Sequence, residues 1–137
     1  MQIGHYDEVI AIWEKLDGIC IGEMDTREAI SAYLQRNAGL SRVAFDGRGR
    51  MAGAVLCGYD GRRGFLHHLG VVEEYQRSGL GKCLFQSCCE ALGALDIYKV
   101  HMFVLSDNEK AVKFWKKIGC EQRGDILVFS YNIYTHG

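Results

Sequence analysis

Proline is missing altogether from the 137 residues, so every sharp reversal of the chain must rest on its 17 glycines or on Asn and Asp. Also missing is any C-x-x-C pair. The six cysteines, Cys20, Cys57, Cys83, Cys88, Cys89 and Cys120, share no repeated ligand spacing, which argues against a zinc framework and predicts no metal. Most of them fall inside apolar runs and no signal peptide precedes them, so they read as small buried hydrophobes in a reducing cytoplasm. Net charge is nearly absent, at -1 with a pI near 6.5, and the basic excess of a nucleic-acid binder is lacking. No apolar run approaches the roughly 20 residues that span a bilayer. Neither nucleic acid nor membrane is expected as a partner.

What is present suits one compact unit. A 48% hydrophobic and 11% aromatic chain of this length can fill one core but not two, so residues 1–137 are expected to form a single domain. Charge is unevenly spread. Asp7, Glu8, Glu14, Asp17, Glu23, Asp25 and Glu28 face only Lys15 and Arg27 in the first 30 residues. Lys110, Lys113, Lys116 and Lys117 cluster later and read as the solvated face of a helix.

Residues 6–16 place Val9, Ile10, Ile12, Trp13 and Leu16 at helical spacing. A second helix begins at the capping Thr26, carries Ala29, Ile30, Tyr33 and Leu34, and stops at Asn37-Ala38-Gly39. Residues 41–45 and 51–57 form short strands around the turn Asp46-Gly47-Arg48-Gly49-Arg50, and a third strand is predicted over 65–72. A helix over 80–95 and a strand over 99–105 follow. Asn108 can cap a short helix closed by Gly119, and 126–134 reads as a last strand. The order predicts an α/β (α+β) fold, a mixed sheet covered by helices.

Gly79-Leu80-Gly81 stands where a strand region hands over to a helix, so unpaired backbone N–H groups and the positive end of the helix dipole converge there. Small residues let an anion approach, and Arg77, Ser78 and Lys82 can add contacts. The dinucleotide fingerprint fails because its third glycine is Leu84, and the Walker A loop fails at Gln76 and Cys83. Gln76-Arg77-Ser78-Gly79-Leu80-Gly81 instead matches Q/R-x-x-G-x-G/A, the pyrophosphate signature of the GNAT N-acetyltransferases. Leu69-Gly70-Val71 precedes it at the usual distance, and Asn108, Ala111, Phe114 and Gly119 follow that family's later pattern. The chain resembles this family over nearly its whole length. Gly58-Tyr59-Asp60-Gly61 gives it a particular likeness to small bacterial acetyltransferases of the YpeA type.

The resemblance implies a mostly antiparallel GNAT sheet and acetyl-CoA as cosubstrate. Its pyrophosphate would lie on Gln76 to Lys82, its pantetheine arm on Leu69, Gly70 and Val71, with Asn108 and Trp115 nearby. Relatives begin with a full strand, whereas Met1-Gln2-Ile3-Gly4-His5 leaves a stub, so the first strand is expected to be abbreviated. A homodimer is compatible with the family habit, though no residue demands one.

Direct attack by an amine on the thioester requires a neutral nucleophile. For a lysine-like amine of pKa about 10.4, neutralisation at pH 7 costs about 4.6 kcal/mol, whereas a thiol near 8.5 leaves with little help. The family's usual acid, a tyrosine, corresponds to Trp115, which reads as a core aromatic. Strand alternation puts Phe65, His67, Leu69 and Val71 on one side and His68 on the other, which favours His67 as the base. His67 also matches a substrate-facing histidine of the serotonin N-acetyltransferase branch, whose second histidine is Phe65 here. Phe103 stands where some relatives carry a carboxylate, and water can instead lead the proton to Glu73 or Glu23. The expected acceptor is a small-molecule amine or a protein amino group, drawn by the acidic first segment. The rival reading is an acyl-CoA-binding sensor without turnover, motivated by Trp115 and Phe103.

Overall fold

The computed structural model describes residues 1–134. Four strands form one sheet in the order β1-β2-β3-β4: β1 is Arg42–Phe45, β2 Met51–Tyr59, β3 Gly64–Val71 and β4 Val100–Met102. The first three are antiparallel neighbours and β4 runs parallel to β3, as a helical crossover requires. That crossover is α3, Leu80–Ala94, and α4, Glu109–Lys117, follows β4. On the other face lie α1, Tyr6–Glu14, and α2, Arg27–Arg36.

β2 is buried from Met51 to Gly58 because both of its faces are covered. Val55 and Cys57 pack with Leu66, Leu84, Cys88 and Leu92 on the α3 side. Ala54 and Leu56 pack with Val9, Trp13 and Ile30 on the α1 and α2 side. Each fully covered Leu, Ile or Val contributes about 1.5–3 kcal/mol, so these two layers fix how the helices sit on the sheet. Thr26 caps α2 by accepting from the Ala29 N–H at 3.2 Å, as its sequence position predicts.

Several expectations need correction. No strand precedes α1 among the described residues: Ile3–His5 is a 3₁₀ turn, closed by the His5 N–H on the Gln2 carbonyl at 2.9 Å. The helix predicted to reach Leu16 ends at Glu14. β4 covers three residues of the seven expected, pairing with β3 only from Gly64/Val100 to Leu66/Met102. Residues 126–134 form no strand, because no neighbouring backbone pairs with them. Only Cys57 and Cys88 of the six free cysteines are fully buried, and Cys20 and Cys83 are exposed. Among the described residues, no helix is long and apolar enough to cross a membrane.

Candidate functional site

The register of β2 against β3 changes in mid-strand. Leu56 faces His67 and Ala54 faces Gly70, so the single residue Val55 stands opposite both His68 and Leu69. This is a β-bulge, and His68 takes up its strain at φ 55°, in the left-handed region. Alternation resets at that point. His67 points toward α2, where its ring lies 6.3 Å from Tyr33, while His68 packs 5.0 Å from Trp13 on the same side of the sheet. Leu69 and Val71 turn instead to the α3 core. Sequence alternation had set the two histidines apart and grouped His67 with Leu69 and Val71; the bulge reverses both assignments.

Between α2 and β3 lies an open cavity of about 390 Å³, lined by Met24, Asp25, Tyr33, Arg36, His67 and His68 among others. A second recess of about 240 Å³ continues from it past Tyr59, Asp60 and Phe65. The carboxylate of Asp25, which is largely buried, meets His68 Nε2 at 3.0 and 3.1 Å and accepts the Gly22 N–H at 2.9 Å. Burial, with repulsion from neighbouring His68 whenever that ring is protonated, holds the His67 imidazole below the usual histidine range despite Asp25. His67 is therefore neutral at pH 7. Asp25 and His68 are the residues sequence reasoning missed, since nothing local marks a bulge or joins positions 43 apart.

At the other end of β3, pairing with β4 has stopped, so Leu69, Gly70 and Val71 have no strand neighbour on that side among the described residues. The two strands pair only as far as Leu66/Met102, which leaves the backbone of Leu69 to Val71 open for the pantetheine arm that the family resemblance implies. A 3₁₀ turn, Glu73–Tyr75, leads to Gln76 and then to Arg77 at φ 67° and Gly79 at φ 89°. Gly79 takes the N-cap of α3 in a conformation that a side chain would strain, and a Cβ there would meet nothing within 4 Å. No side chain caps α3 and no acid stands in its first turn, so its leading N–H groups face open space beside exposed Arg77 and Lys82. Leu80 turns inward to pack against the α3 core. These residues fit a pyrophosphate.

Other members of the segment have structural duties. Gln76 donates to the Val71 carbonyl at 3.0 Å and accepts from Lys110, tying the end of β3 to α4. Ser78 donates its hydroxyl to the Tyr75 carbonyl. A Cβ on Gly81 would lie 3.1 Å from the Phe114 ring, so the absence of a side chain here also lets α3 pack closely on α4. Asn108 Oδ1 accepts from the Ala111 N–H at 3.1 Å, and its Nδ2 would collide with a side chain at Gly18. That amide is thus occupied as a cap and as a wall for the loop after α1. Trp115 stacks edge-on against Phe85 and Phe114, with ring centres at 5.6 and 4.9 Å, as a core aromatic would.

Comparison with known proteins agrees with this site. The sequence model of the acetyltransferase (GNAT) family matches residues 8–120. An acetyltransferase of Sodalis glossinidius is 28% identical over 123 residues, which cover 90% of this chain and 85% of that protein. An aminoglycoside 6'-N-acetyltransferase from Acinetobacter haemolyticus superimposes with a TM-score of 0.77 at 14% identity, covering 96% of this chain and 94% of that one. Naa20 of Chaetomium thermophilum, in complex with a bisubstrate analogue, gives 0.73 at 21% identity, with coverages of 87% and 67%. With the family's sequence pattern over most of the chain and its fold throughout, this protein belongs to the GNAT family and is an acetyl-CoA-dependent acetyltransferase.

Proposed function

We propose that the chain moves an acetyl group from acetyl-CoA to a primary amine by direct attack in a ternary complex, with the acceptor seated in the cavity between α2 and β3. The carrying observation is the bulge at His68, which turns two imidazoles into that one cavity. When bound, acetyl-CoA supplies an activated thioester, held by the α3 N-terminus with Arg77 and Lys82 and by the backbone of Leu69 to Val71. His67, neutral and partly buried, accepts the proton that the amine must lose. His68, oriented by Asp25, stands beside it as a second acceptor. Met24, Ala29, Ile30 and Leu56 give the cavity an apolar lining, with Arg36 at its border with the second recess. One structural neighbour is named for acetylating an aminoglycoside, which supports a small-molecule amine. A protein amino group is the other acceptor class this open cavity suits, and the free cysteines suit a reducing cytoplasm.

The packing of Trp115 favours a second reading, an acyl-CoA sensor without turnover, because the usual acid position is filled by a core indole. An acceptor panel of amines, amino acids and peptides separates the two. Acetylated product, read by mass spectrometry, supports the enzyme and names its acceptor class. Tight acetyl-CoA binding without product from any acceptor favours the sensor.

A further inference from the structure

The loop before α3 is strained in its middle. Arg77 stands at φ 67°, a left-handed conformation that residues other than glycine rarely adopt, so its neighbours must hold it there. On one side Gln76 is tied to Val71 and Lys110. On the other, Ser78 hangs on a single acceptor: its N–H, at 3.3 Å, and its hydroxyl both donate to the Tyr75 carbonyl. Where Tyr75 sits therefore decides where the second half of the loop sits.

Tyr75 is itself fastened to the hairpin of β1 and β2. The Val72 N–H, at the start of the 3₁₀ turn, donates to the Ala52 carbonyl at 2.9 Å, and the Tyr75 N–H closes the turn on the Val72 carbonyl at 2.9 Å. Ala52 is the residue of β2 left without an opposite number, because Ala44 faces Gly53 and Phe45 faces Met51. At the far end of the turn the Tyr75 hydroxyl donates to Oδ2 of Asp46 at 3.0 Å, across 29 positions of sequence. The hairpin does not need that contact to form. Oδ1 of Asp46 accepts the Arg48 and Arg50 N–H groups at 2.8 and 2.9 Å, and the Asp46 N–H meets the Arg50 carbonyl at 2.8 Å. The Arg50 N–H, with the other donors, holds the Asp46 carboxyl below its ordinary range, and the carboxylate pushes the Tyr75 phenol above its own. At neutral pH the acceptor is charged and the donor protonated, which makes the bond a charge-assisted one.

We propose that Asp46 and Tyr75 are a positioning pair for acetyl-CoA: the carboxylate fixes the phenol, whose residue holds Ser78 by its carbonyl and so presets Arg77 and the N–H groups after it for the pyrophosphate. The proposal rests on the reading that the pyrophosphate lies at the α3 N-terminus. Neither residue touches the cosubstrate. They act by ordering the loop before it binds, so that binding does not have to supply the ordering, which is how a preformed site gains affinity. The sequence gives no hint of this, since Asp46 reads there only as the first residue of a hairpin turn.

Calorimetric titration of acetyl-CoA into the full chain, with hydrogen exchange of the unliganded protein, tests the pair through Tyr75→Phe, Asp46→Asn and the double variant. Phenylalanine keeps the ring, and asparagine keeps an oxygen for the two turn N–H groups. Each single variant is expected to bind acetyl-CoA about tenfold more weakly, the usual scale of a lost hydrogen bond to a charged group, and to exchange the Ser78 amide faster. The double variant should bind no more weakly than either single one, because all three remove the same contact. Lys82→Glu serves as the reference for the site itself. If that variant keeps full affinity, the pyrophosphate reading fails and the pair falls with it. If it loses affinity while Tyr75→Phe does not, the site stands and the pair alone is overturned. Single variants that melt lower yet bind normally would show that the contact serves only the hairpin, and additive losses in the double variant would separate the two residues; either result overturns the proposal.

Discussion

His68 Nε2 lies 3.0 Å from Oδ1 of Asp25, and this contact fastens the bulge of β3 to the 3₁₀ turn that precedes α2. A carboxylate so placed fixes the orientation of an imidazole that carries proton traffic. His68→Ala is expected to lower kcat by roughly 10²–10⁴, the usual worth of a positioned base. Asp25→Asn should lower it less, because the ring remains but loses its orienting charge. Steady-state kinetics with acetyl-CoA varied checks this, and full kcat in His68→Ala would remove the pair from the chemistry.

The depressed pKa of His67 gives a signed pH dependence. Since burial disfavours its charged form, the unfolded chain binds a proton here more readily than the native one. The stability this residue contributes is present above the ordinary histidine value of about 6.5 and is lost as pH falls through the lower native value. The acid limb of kcat/KM should likewise fall below about 6.5 and change in His67→Ala. A limb above that value, unaltered in the variant, would take His67 out of the mechanism.

Gly81 and Lys82 are adjacent but should fail differently. Gly81→Val pushes a branched side chain into the Phe114 ring, already 3.1 Å from a bare Cβ, and overpacking of this kind costs about 1–3 kcal/mol. Lys82→Glu puts a negative charge on the exposed first turn of α3, where the dipole and Arg77 are arranged for an anion. Thermal melts should fall for the first and hold for the second, while calorimetry shows acetyl-CoA affinity lost in the second. Undiminished affinity in Lys82→Glu would move the pyrophosphate elsewhere.

Gly79 and Gly81 also mark where reading the sequence works and where it stops. Gly79 was legible as a small residue at the start of the predicted helix, though its left-handed φ of 89° was not. The role of Gly81 was not, since it depends on Phe114, 33 positions away and on another helix. Element identity followed the same rule. Helices and antiparallel strands were visible in their periodicity, and Thr26 and Asn108 cap as expected. The bulge at His68, the short β4 and the unpaired 126–134 stretch are decided by which backbone lies alongside, which a local pattern does not encode.

Tyr33 gives the cleanest test of what the cavity does with a hydroxyl. Its ring lines both recesses, yet its OH is buried with no hydrogen-bond partner among the described residues, and burial drives its pKa upward, so it stays protonated. An unpaired buried hydroxyl costs about 1–3 kcal/mol of desolvation. Tyr33→Phe removes it while keeping the edge contact with His67 and the packing of α2 on the sheet. The variant should therefore melt higher than the parent and keep its kcat. A loss of kcat without loss of stability would instead show that the hydroxyl finds its partner in the bound acceptor, which would make Tyr33 the missing proton donor that Trp115 cannot be.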